Sequence, residues 1–497
     1  MIFVSIEFAI FLVVVFLLYW IKRWNNFKIQ NILLLAASYF FYGMWDWRFL
    51  IILVLISLAN FGFGLLIDIN EINKRKKFWL ISGLILNIGI LAVFKYYNFF
   101  IDSFIDLISL FGYNLPRSTT KILLPVGISF YVFLSLSYLI DIYKKKLNAE
   151  RNIVSLLLSL SFFPIILAGP IQRPAALLPQ INQRREFQYE KVADGLRQIL
   201  WGLFAKVVIA DNLAVFVDDF FTDYNDYTGS TLLLGAIFFT IQIYADFSGY
   251  SDMSIGIAKL FGFNLVRNFA YPYFSRDISE FWKRWHISLV TFFRDYVFLP
   301  ISFALVYKIR GEKVLLIKVE HLVYIIASLV VWFLTGLWHG ANYTYVIWGL
   351  FHGVLLIFYH LQRNSRKRVL KKLGCTNDNI FIVSLERLIT LALIVVAWIF
   401  FRSSTVPDAI DYLTNLFSKS LFYIPAFSGK KDALILALFI IFYFLIEWRN
   451  RDRQFATAGM ETRMPLLKRW AFYLGLIMIL YFFGYSEETL EFIYFQF

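Results

Sequence analysis

The residues best suited to chemistry in this 497-residue sequence are two histidines set in apolar surroundings. His339 follows Trp338 in the run Val331-Trp-Phe-Leu-Thr-Gly-Leu-Trp-His-Gly-Ala-Asn-Tyr, and His352 follows Phe351 shortly afterwards. An ionisable side chain at membrane depth costs free energy to keep there, so such a residue is usually functional. Either histidine could instead be a structural residue whose ring nitrogens bond backbone carbonyls.

A neutral histidine can accept the proton of a hydroxyl group while that oxygen attacks an acyl carbonyl, which makes acyl transfer a plausible reaction. Other chemistries have less support. The sequence contains no Gly-x-Ser-x-Gly elbow, no phosphate-binding glycine-rich loop and no His-Glu-x-x-His helix. Its five histidines are scattered over 75 residues, so we predict no metal site. A transporter stays open, because intramembrane aspartates and histidines also serve proton relays.

A second group of polar residues interrupts a later apolar stretch at Tyr244-Ala-Asp-Phe-Ser-Gly-Tyr-Ser-Asp252. Asp246, Ser248 and Asp252 are unsuited to a lipid-facing helix and predict a wet or hydrogen-bonded pocket. Two interpretations stay open. The aspartates either take part in binding and chemistry or tie helices together and cap them.

The segment Ile278-Ser-Glu-Phe-Trp-Lys-Arg-Trp-His-Ile-Ser-Leu, continuing to Tyr296, predicts a helix that begins near Ser279. Its polar side would carry Glu280, Lys283 and Arg284, and its apolar side Trp282, Trp285 and Leu289. This pattern indicates an amphipathic helix at the cytoplasmic interface, with tryptophans at headgroup depth. His286 would then lie on the cytoplasmic side.

The composition defines the class of protein. Apolar residues make up 60% of the chain and charged residues 16%, and the mean hydropathy is +0.66. Apolar stretches of about 18 or more residues recur along the chain, and each can span the hydrocarbon core. We predict an all-α polytopic membrane protein with roughly ten to twelve transmembrane helices plus re-entrant and interfacial helices. Residues 1–497 would form a single membrane domain.

The net charge of +14 comes from short basic clusters beside apolar segments, which is the pattern of the positive-inside rule rather than of nucleic-acid binding. The predicted spans 2–20, 48–67 and 122–140 end at the clusters Lys22-Arg23, 74–77 and 144–146, while 29–45 and 78–100 return the chain. Five alternating spans put all three clusters in the cytoplasm and the N-terminus outside. We interpret 1–20 as a retained span, because no positive charge precedes it.

The stretch from Ile153 to Gly169 is expected to be a re-entrant hairpin. Arg184 and Arg185 follow it, so both of its ends lie on the cytoplasmic side, and Pro164 favours a break in the helix. A span near 195–217 then leads to the acidic loop 218–226, which we expect outside.

The remaining spans are expected near 320–337, 342–359, 380–401, 432–448 and 466–484. Their alternation around the basic clusters at 366–372 and 449–453 puts His339 toward the outer face, with the loop 402–430 and the C-terminus also outside. The single cysteine, Cys375, excludes an intramolecular disulfide and is interpreted as a free cytoplasmic thiol.

Six motifs, taken in order, resemble those of the membrane-bound O-acyltransferases, and more narrowly the bacterial branch of alginate O-acetyltransferase and teichoic acid D-alanyl transferase. They are Pro125-Val-Gly-Ile-Ser-Phe-Tyr, Phe162-Phe-Pro with Ala168-Gly-Pro, Asp246-Phe-Ser-Gly-Tyr-Ser-Asp-Met, Phe281-Trp-Lys-Arg-Trp-His-Ile-Ser-Leu, Arg294-Asp-Tyr and Trp338-His-Gly-Ala. The resemblance is specific between residues 120 and 360 and rests on hydropathy elsewhere. It divides the domain into N-terminal helices (1–119), a catalytic core (120–360) and C-terminal helices (361–497).

The resemblance implies that His339 is the catalytic residue and that His286 is the second family histidine. It also implies a rim of helices around a thin centre, where a funnel from outside meets a passage from the cytoplasm. His286 would line the donor entrance or support the structure. Trp338, Asn342 and His352 are the expected supporting or substrate-binding residues, with Asn342 as a candidate oxyanion donor.

One segment departs from the family pattern. After Leu299-Pro300 the alginate-type members usually continue with Gly-Gly-Asn-Arg, whereas this chain has Ile301-Ser-Phe-Ala-Leu-Val-Tyr-Lys. The donor-side loop, and with it the donor or carrier, is therefore left open.

We predict a bacterial O-acyltransferase of the cell membrane, with an O-acetyltransferase as the preferred form. It would move an acyl group from a cytoplasmic thioester, by analogy acetyl-CoA, to a hydroxyl of an envelope or secreted polysaccharide. An extracytoplasmic partner would finish the transfer, and no cofactor would be bound permanently. His339 would be the general base or a transient acyl acceptor. The alternatives are D-alanyl transfer to teichoic acid from a carrier protein and a proton-coupled exporter of glycan or lipid.

Overall fold

The computed structural model describes residues 1–21, 26–113, 115–116, 122–309, 311–314, 317–372, 379–484 and 492–493, apart from the side chains of 364, 367 and 369–371. Lys22-Arg23 and Cys375 lie outside the described residues, as does most of the C-terminal end. Nearly all regular structure in the described part is helical. A short antiparallel hairpin pairs β1 (Lys313–Val314) with β2 (Ile317–Lys318), and Lys313 lies opposite Lys318.

The chain forms two compact units whose sequence ranges interleave. The first contains Met1–Ile199 and Tyr250–Val266, and the second contains Leu200–Gly249 and Arg267–Ile493. The predicted division of the chain into 1–119, 120–360 and 361–497 stays a prediction. The assignment of the whole chain to a single membrane domain stays a prediction.

The first unit is built mainly from eight helices and the beginning of a ninth. Their bounds are α1 (Ile6–Tyr19), α2 (Phe27–Gly43), α3 (Trp47–Ile69), α4 (Asn73–Leu91), α5 (Tyr97–Ser109), α6 (Ile128–Tyr143), α7 (Ile153–Ser161), α8 (Pro174–Ile181) and α9 (Tyr189–Leu203). A π-helical turn, Ala92–Tyr96, joins α4 to α5. Asn60 of α3 and Asn87 of α4 exchange two side-chain hydrogen bonds of 3.1 and 2.9 Å, which satisfies two buried amides between apolar helices.

Helix α7 has nine residues and is followed by buried turns up to Gly169. At 1.5 Å per residue it rises about 14 Å, which is too short for a hydrocarbon core of about 30 Å. The segment 153–169 is therefore not a full span. The short helix and the turn agree with the expected re-entrant hairpin, whose position in the membrane stays a prediction.

The second unit contains the remaining helices. Their bounds are α10 (Asp211–Thr222), α11 (Gly229–Leu260), α12 (Ile278–Arg284), α13 (Ile287–Phe293), α14 (Leu299–Lys308), α15 (Val319–His339), α16 (Tyr343–Lys372), α17 (Ile380–Arg402), α18 (Val406–Leu416), α19 (Lys430–Arg449), α20 (Met460–Arg463) and α21 (Leu466–Phe483). The π-helical segments Phe204–Ala210 and Arg294–Phe298 join α9 to α10 and α13 to α14. Helices α9 and α11 have residues in both units.

Nine helices in the described residues are long and apolar enough to cross a membrane, some of them counted through a π-helical turn. Two further apolar helices, α1 and α6, have 14 and 16 residues, so nine candidate spans in the described residues compare with the predicted ten to twelve. The predicted fold class, an all-α polytopic membrane protein, is confirmed. The polar stretch 244–252 lies within the unbroken helix α11, and the loop 402–430 contains α18.

The prediction of one amphipathic helix from Ser279 to Tyr296 is wrong. Asp277 caps α12 by accepting a hydrogen bond from Glu280 N, and the helix ends at Arg284. His286 then adopts a left-handed backbone conformation, with φ 44° and ψ 51°, before α13 begins. Helices α13 and α14 together form a candidate membrane span, Ile287–Lys308, rather than the end of an interfacial helix. No proline or glycine marks this break in the sequence. Tertiary contacts hold the unusual backbone conformation instead.

Helices α15 and α16 approach each other closely at two glycines. A Cβ at Gly336 would lie 2.3 Å from the carbonyl oxygen of Tyr345, and a Cβ at Gly349 would lie 2.3 Å from that of Trp332. Small residues permit such backbone contact between membrane helices, where van der Waals packing provides much of the attraction. This contact sets the positions of the last turn of α15 and the first turns of α16.

We expect Gly336→Ala and Gly349→Ala to lower the stability of the purified protein by about 1–3 kcal/mol, because the added methyl group meets fixed backbone and forces the helices apart. Thermal unfolding in detergent measures this as a lower Tm. Gly62→Ala in α3 is the matched control, since a Cβ there meets nothing within 4 Å. An unchanged Tm in both α15–α16 variants would contradict the close contact.

Candidate active site

His339 is the last residue of α15, and its side chain is enclosed by aromatic rings. The residue is 2% exposed. Its ring centroid lies 4.9 Å from that of Trp338, 4.9 Å from that of Trp348 and 5.3 Å from that of Phe401. Helices α15, α16 and α17 thus each provide a wall around the predicted catalytic imidazole.

Trp338 also contacts the second predicted histidine. Its ring centroid lies 5.8 Å from that of His286, so one indole touches both histidines. His286 is fully buried, and its ring packs edge-on against Phe247 of α11 at 4.7 Å. Asn268 holds the break beside it, because its carbonyl accepts from Ile287 N and its side chain accepts from Ser288 N and Oγ.

His352 of α16 joins the same group of rings. Trp282 Nε1 donates a hydrogen bond of 3.3 Å to His352 Nδ1, which assigns the proton of a neutral imidazole to Nε2. The His352 ring lies 5.0 Å from Trp348, which in turn contacts His339. We call His286, His339, His352, Trp282, Trp338 and Trp348 the tryptophan–histidine cluster.

The cluster brings together four residues that the sequence singled out, namely His286, His339, His352 and Trp338. Their motifs are more than 60 residues apart at the extremes, yet their rings are in contact through Trp338 and Trp348. Imidazoles enclosed by rings and excluded from bulk water suit proton transfer to and from a bound substrate. The catalytic roles of these residues stay predictions.

Asp246 occupies a buried ion-pair network instead of the cluster. Lys206 Nζ lies 2.6 Å from Asp246 Oδ1 and 2.7 Å from Asp211 Oδ1, and the ammonium stands 4.4 Å from the ring centroid of Phe492. Ile493 N donates to Asp246 Oδ2 at 3.0 Å. Asp246 therefore ties α11 to the helix that carries Lys206 and to the C-terminal residues, which favours the structural interpretation of this aspartate.

Ser248 and Asp252 also have helix-linking partners. The hydroxyl of Ser248 lies 3.2 Å from that of Tyr443 in α19. In the first unit, Gln198 Nε2 donates to Asp252 Oδ1 at 2.7 Å. The residue of this motif that reaches the cluster is Phe247, between Asp246 and Ser248, because its ring contacts His286.

Asn342 lies at the start of α16. Its side-chain oxygen accepts from Thr344 N at 3.1 Å, and its amide group donates to the carbonyl of Ser404 at 2.8 Å. These are the contacts of a helix cap and of a link to the chain after α17. They give Asn342 a structural task, and its role as an oxyanion donor stays a prediction.

A cavity of about 440 Å³ lies in the second unit beside the cluster. One face of α15 lines it with Tyr324, Ser328, Val331, Trp332 and Thr335, which recur at helical spacing. Trp282 of the cluster forms part of its wall, and the exposed cations Lys283 and Arg294 line it as well. Most of the remaining lining is apolar, so the cavity combines an apolar interior with two positive charges.

Two buried charges escaped the sequence reasoning. Lys206 lies in the predicted span 195–217, and Glu447 of α19 accepts hydrogen bonds from Tyr244 Oη at 2.9 and 3.0 Å. Lys206 is an isolated ionisable residue within an apolar run, which is a signal that the sequence does contain, whereas Glu447 stands two residues before the basic cluster 449–453. Trp398, which packs against Trp285 and Trp348, could not have been found, because tryptophans occur throughout this chain.

The fold and the cluster together define a class: a polytopic membrane protein that carries buried imidazoles among its helices. The chain belongs to the membrane-bound O-acyltransferase (MBOAT) family, whose model matches residues 143–401. It is accordingly an O-acyltransferase, and the resemblance read from the six motifs is confirmed.

Relatives within the family differ in the group they transfer. The chain is 36% identical over 446 residues to a probable alginate O-acetylase of Pseudomonas aeruginosa, covering 88% of this chain and 79% of that protein. It is 33% identical over 409 residues to a peptidoglycan O-acetyltransferase of Helicobacter pylori, covering 77% and 73%. A teichoic acid D-alanyltransferase of Bacillus subtilis is 29% identical over 249 residues, covering 49% and 60%. The similarity therefore extends well beyond residues 120–360, to which the motifs had confined it.

We expect Asp246→Asn to reduce the accumulation and the Tm of the protein, because it leaves Lys206 and Asp211 without one of three buried charges. Breaking a buried ion pair costs about 3–5 kcal/mol. Activity per folded molecule should change little, because the partners of Asp246 belong to the buried ion-pair network. Membrane protein level, Tm and specific activity measured on the same preparation test this. A normally stable but inactive Asp246→Asn variant would make the aspartate a catalytic residue instead.

Proposed function

We propose that this enzyme transfers an acetyl group from a cytoplasmic acyl thioester to a hydroxyl of a cell-envelope or secreted polysaccharide. The observation that carries the proposal is the enclosure of His339 at the end of the helix whose face lines the cavity. The names of the relatives support the acceptor class, because alginate and peptidoglycan are both polysaccharides. The enzyme would lie in the cytoplasmic membrane with its N-terminus outside, as the basic clusters predict.

His339 is the proposed general base. Its neutral imidazole accepts the proton of the acceptor hydroxyl while that oxygen attacks the thioester carbonyl. The carbon–sulfur bond then breaks, and the thiolate leaving group takes up the proton from the imidazolium. In the alternative chemistry, His339 itself carries the acyl group for a time, and its ring occupies the same place in the site. The acceptor hydroxyl in this step would belong to an extracytoplasmic partner protein, which would then pass the group to the polysaccharide.

The cavity is the proposed binding site for the donor. Thr335 lines the cavity and lies one helical turn before His339. The face of α15 that lines the cavity therefore continues along the helix to the His339 ring. The apolar lining suits the uncharged arm of a coenzyme A thioester, and Lys283 and Arg294 suit its phosphates. Trp282 contacts Trp348, and Trp348 contacts His339, so two ring contacts connect the cavity wall with the imidazole.

The second candidate function is D-alanyl transfer to teichoic acid, which the match to the Bacillus subtilis enzyme favours. It would use the same histidine and an acyl-carrier protein as the donor. The longer and closer matches are to O-acetyltransferases, so acetyl is the preferred group.

We expect His339→Ala to abolish acetyl esters on the envelope polysaccharide while the protein accumulates normally in membranes. The loss should exceed about 100-fold, as for removal of a general base. His321→Ala, at the other end of α15, is the matched control and should keep full activity. Ester content and membrane protein level are measured in the same cells. Normal acetyl esters with His339→Ala would exclude the proposed chemistry, whereas loss of D-alanyl ester alone would favour the second candidate.

Lys283→Ala with Arg294→Ala should raise the KM for acetyl-CoA about tenfold or more with a small change in kcat, because charge-assisted contacts to phosphates contribute mainly to binding. Added salt should have less effect on the KM of this variant than on that of the wild type. Lys318→Ala is the matched control, since Lys318 is an exposed cation that does not line the cavity. Equal KM values for both variants would count against the donor site.

A further inference from the structure

Two histidines outside the tryptophan–histidine cluster lie side by side, His321 in the first turn of α15 and His360 in α16. Nδ1 of His321 is 3.3 Å from Nε2 of His360. Tyr324 stacks on the His360 ring with 4.0 Å between centroids, and Tyr324 also lines the cavity. The histidine pair is therefore in direct contact with the wall of the cavity.

The two nitrogens share a hydrogen bond, and a zinc ion that replaced the shared proton would need the same spacing. A tetrahedral Zn²⁺ with Zn–N bonds of about 2.0–2.1 Å holds two imidazole nitrogens about 3.3 Å apart. The observed separation is 3.3 Å, between one nitrogen of each ring. Imidazole nitrogen is also among the ligands that zinc prefers, whereas Mg²⁺ prefers oxygen.

The surroundings of the pair orient both rings. The other ring nitrogen of His321, Nε2, lies 3.8 Å from the carboxylate of Glu320. Histidines that bind metals commonly direct their second ring N–H at a carboxylate, which fixes the tautomer. The stacked Tyr324 holds the plane of the His360 ring.

The pair is also the most accessible place for a metal ion to meet histidine in this chain. His286, His339 and His352 are at most 2% exposed, whereas the side chain of His321 is 32% exposed. A metal ion can meet the exposed side of His321 without opening the tryptophan–histidine cluster. Glu320 adds a negative charge beside it and offsets the nearby cation Lys318.

We propose that His321 and His360 form a reversible Zn²⁺ site next to Tyr324 of the cavity wall, with water completing the coordination. The site is exchangeable because the pair supplies two protein ligands. In the described residues no group of three or more His, Cys, Asp or Glu is arranged to hold a resident metal. Bound zinc ties α15 to α16 and fixes Tyr324. Because Tyr324 lines the proposed donor cavity, occupation slows acetyl transfer; this consequence rests on the proposed function.

The test titrates the full-length protein in detergent with Zn²⁺ alone. Equilibrium dialysis should find one zinc per chain, and Tm should rise by several degrees, because zinc binds the folded protein more tightly than the unfolded one. Mg²⁺ should give neither effect. In the activity assay, saturating zinc should lower acetyl transfer severalfold, and a chelator should restore it.

Three variants distinguish the pair from other zinc-binding groups. His321→Ala and His360→Phe each remove one ligand, and the phenyl ring retains the stack on Tyr324; both should lose the Tm shift while keeping their zinc-free Tm and activity. Glu320→Gln keeps both ligands and should weaken binding severalfold. Undiminished zinc binding in His321→Ala and His360→Phe would overturn the site.

A second measurement does not depend on any variant. Protonated imidazole cannot bind a metal ion, so the affinity of the wild type for zinc should fall at least about tenfold between pH 7.5 and pH 5.5. An affinity that is independent of pH would also overturn the site. Pair-dependent binding that leaves acetyl transfer unchanged would refute the effect on the donor cavity and leave the metal site standing. Absence of acetyl transfer from the zinc-free wild type would count instead against the proposed function.

Discussion

The close contact between α15 and α16 is the constraint on which the rest of the site depends. Gly336 and Gly349 bring each helix against backbone carbonyls of the other, and any larger side chain would separate them. In a membrane, where lipid is as apolar as leucine, such packing is a principal source of helix association. The contact sets the places of His339, Trp348 and His352 relative to one another, and it aligns the face of α15 that lines the cavity.

Charge and chemistry are separated within the second unit. The buried charges are held in networks of their own, Lys206 with Asp211 and Asp246, and Glu447 with Tyr244. The imidazoles are surrounded by aromatic rings instead. An uncompensated charge in a low-dielectric interior costs several kcal/mol, about 3–5 in measured cases, so each charged residue needs its partner nearby. Aromatic walls impose no such demand and exclude water from the imidazoles.

Sequence reasoning singled out residues whose type was out of place. Histidine in an apolar run led to His339 and His352, and the Trp-His-Ile-Ser motif led to His286; the structure brings all three into one cluster. It failed where a long-range contact overrides a local pattern. The amphipathic pattern after Ser279 gave no sign of the left-handed turn at His286, because that turn is held by Asn268 and by the rings around the imidazole.

The sequence by itself determined the membrane class, most of the helices, the family and the choice of candidate histidines. Hydropathy and residue type are local properties that can be read without knowing the fold. Only the tertiary structure decided that Asp246 forms an ion pair with Lys206 and that the neighbouring Phe247 contacts His286. It also decided that His321 lies beside His360. These pairings join residues from different helices. Their geometry follows from helix packing, which no single segment encodes.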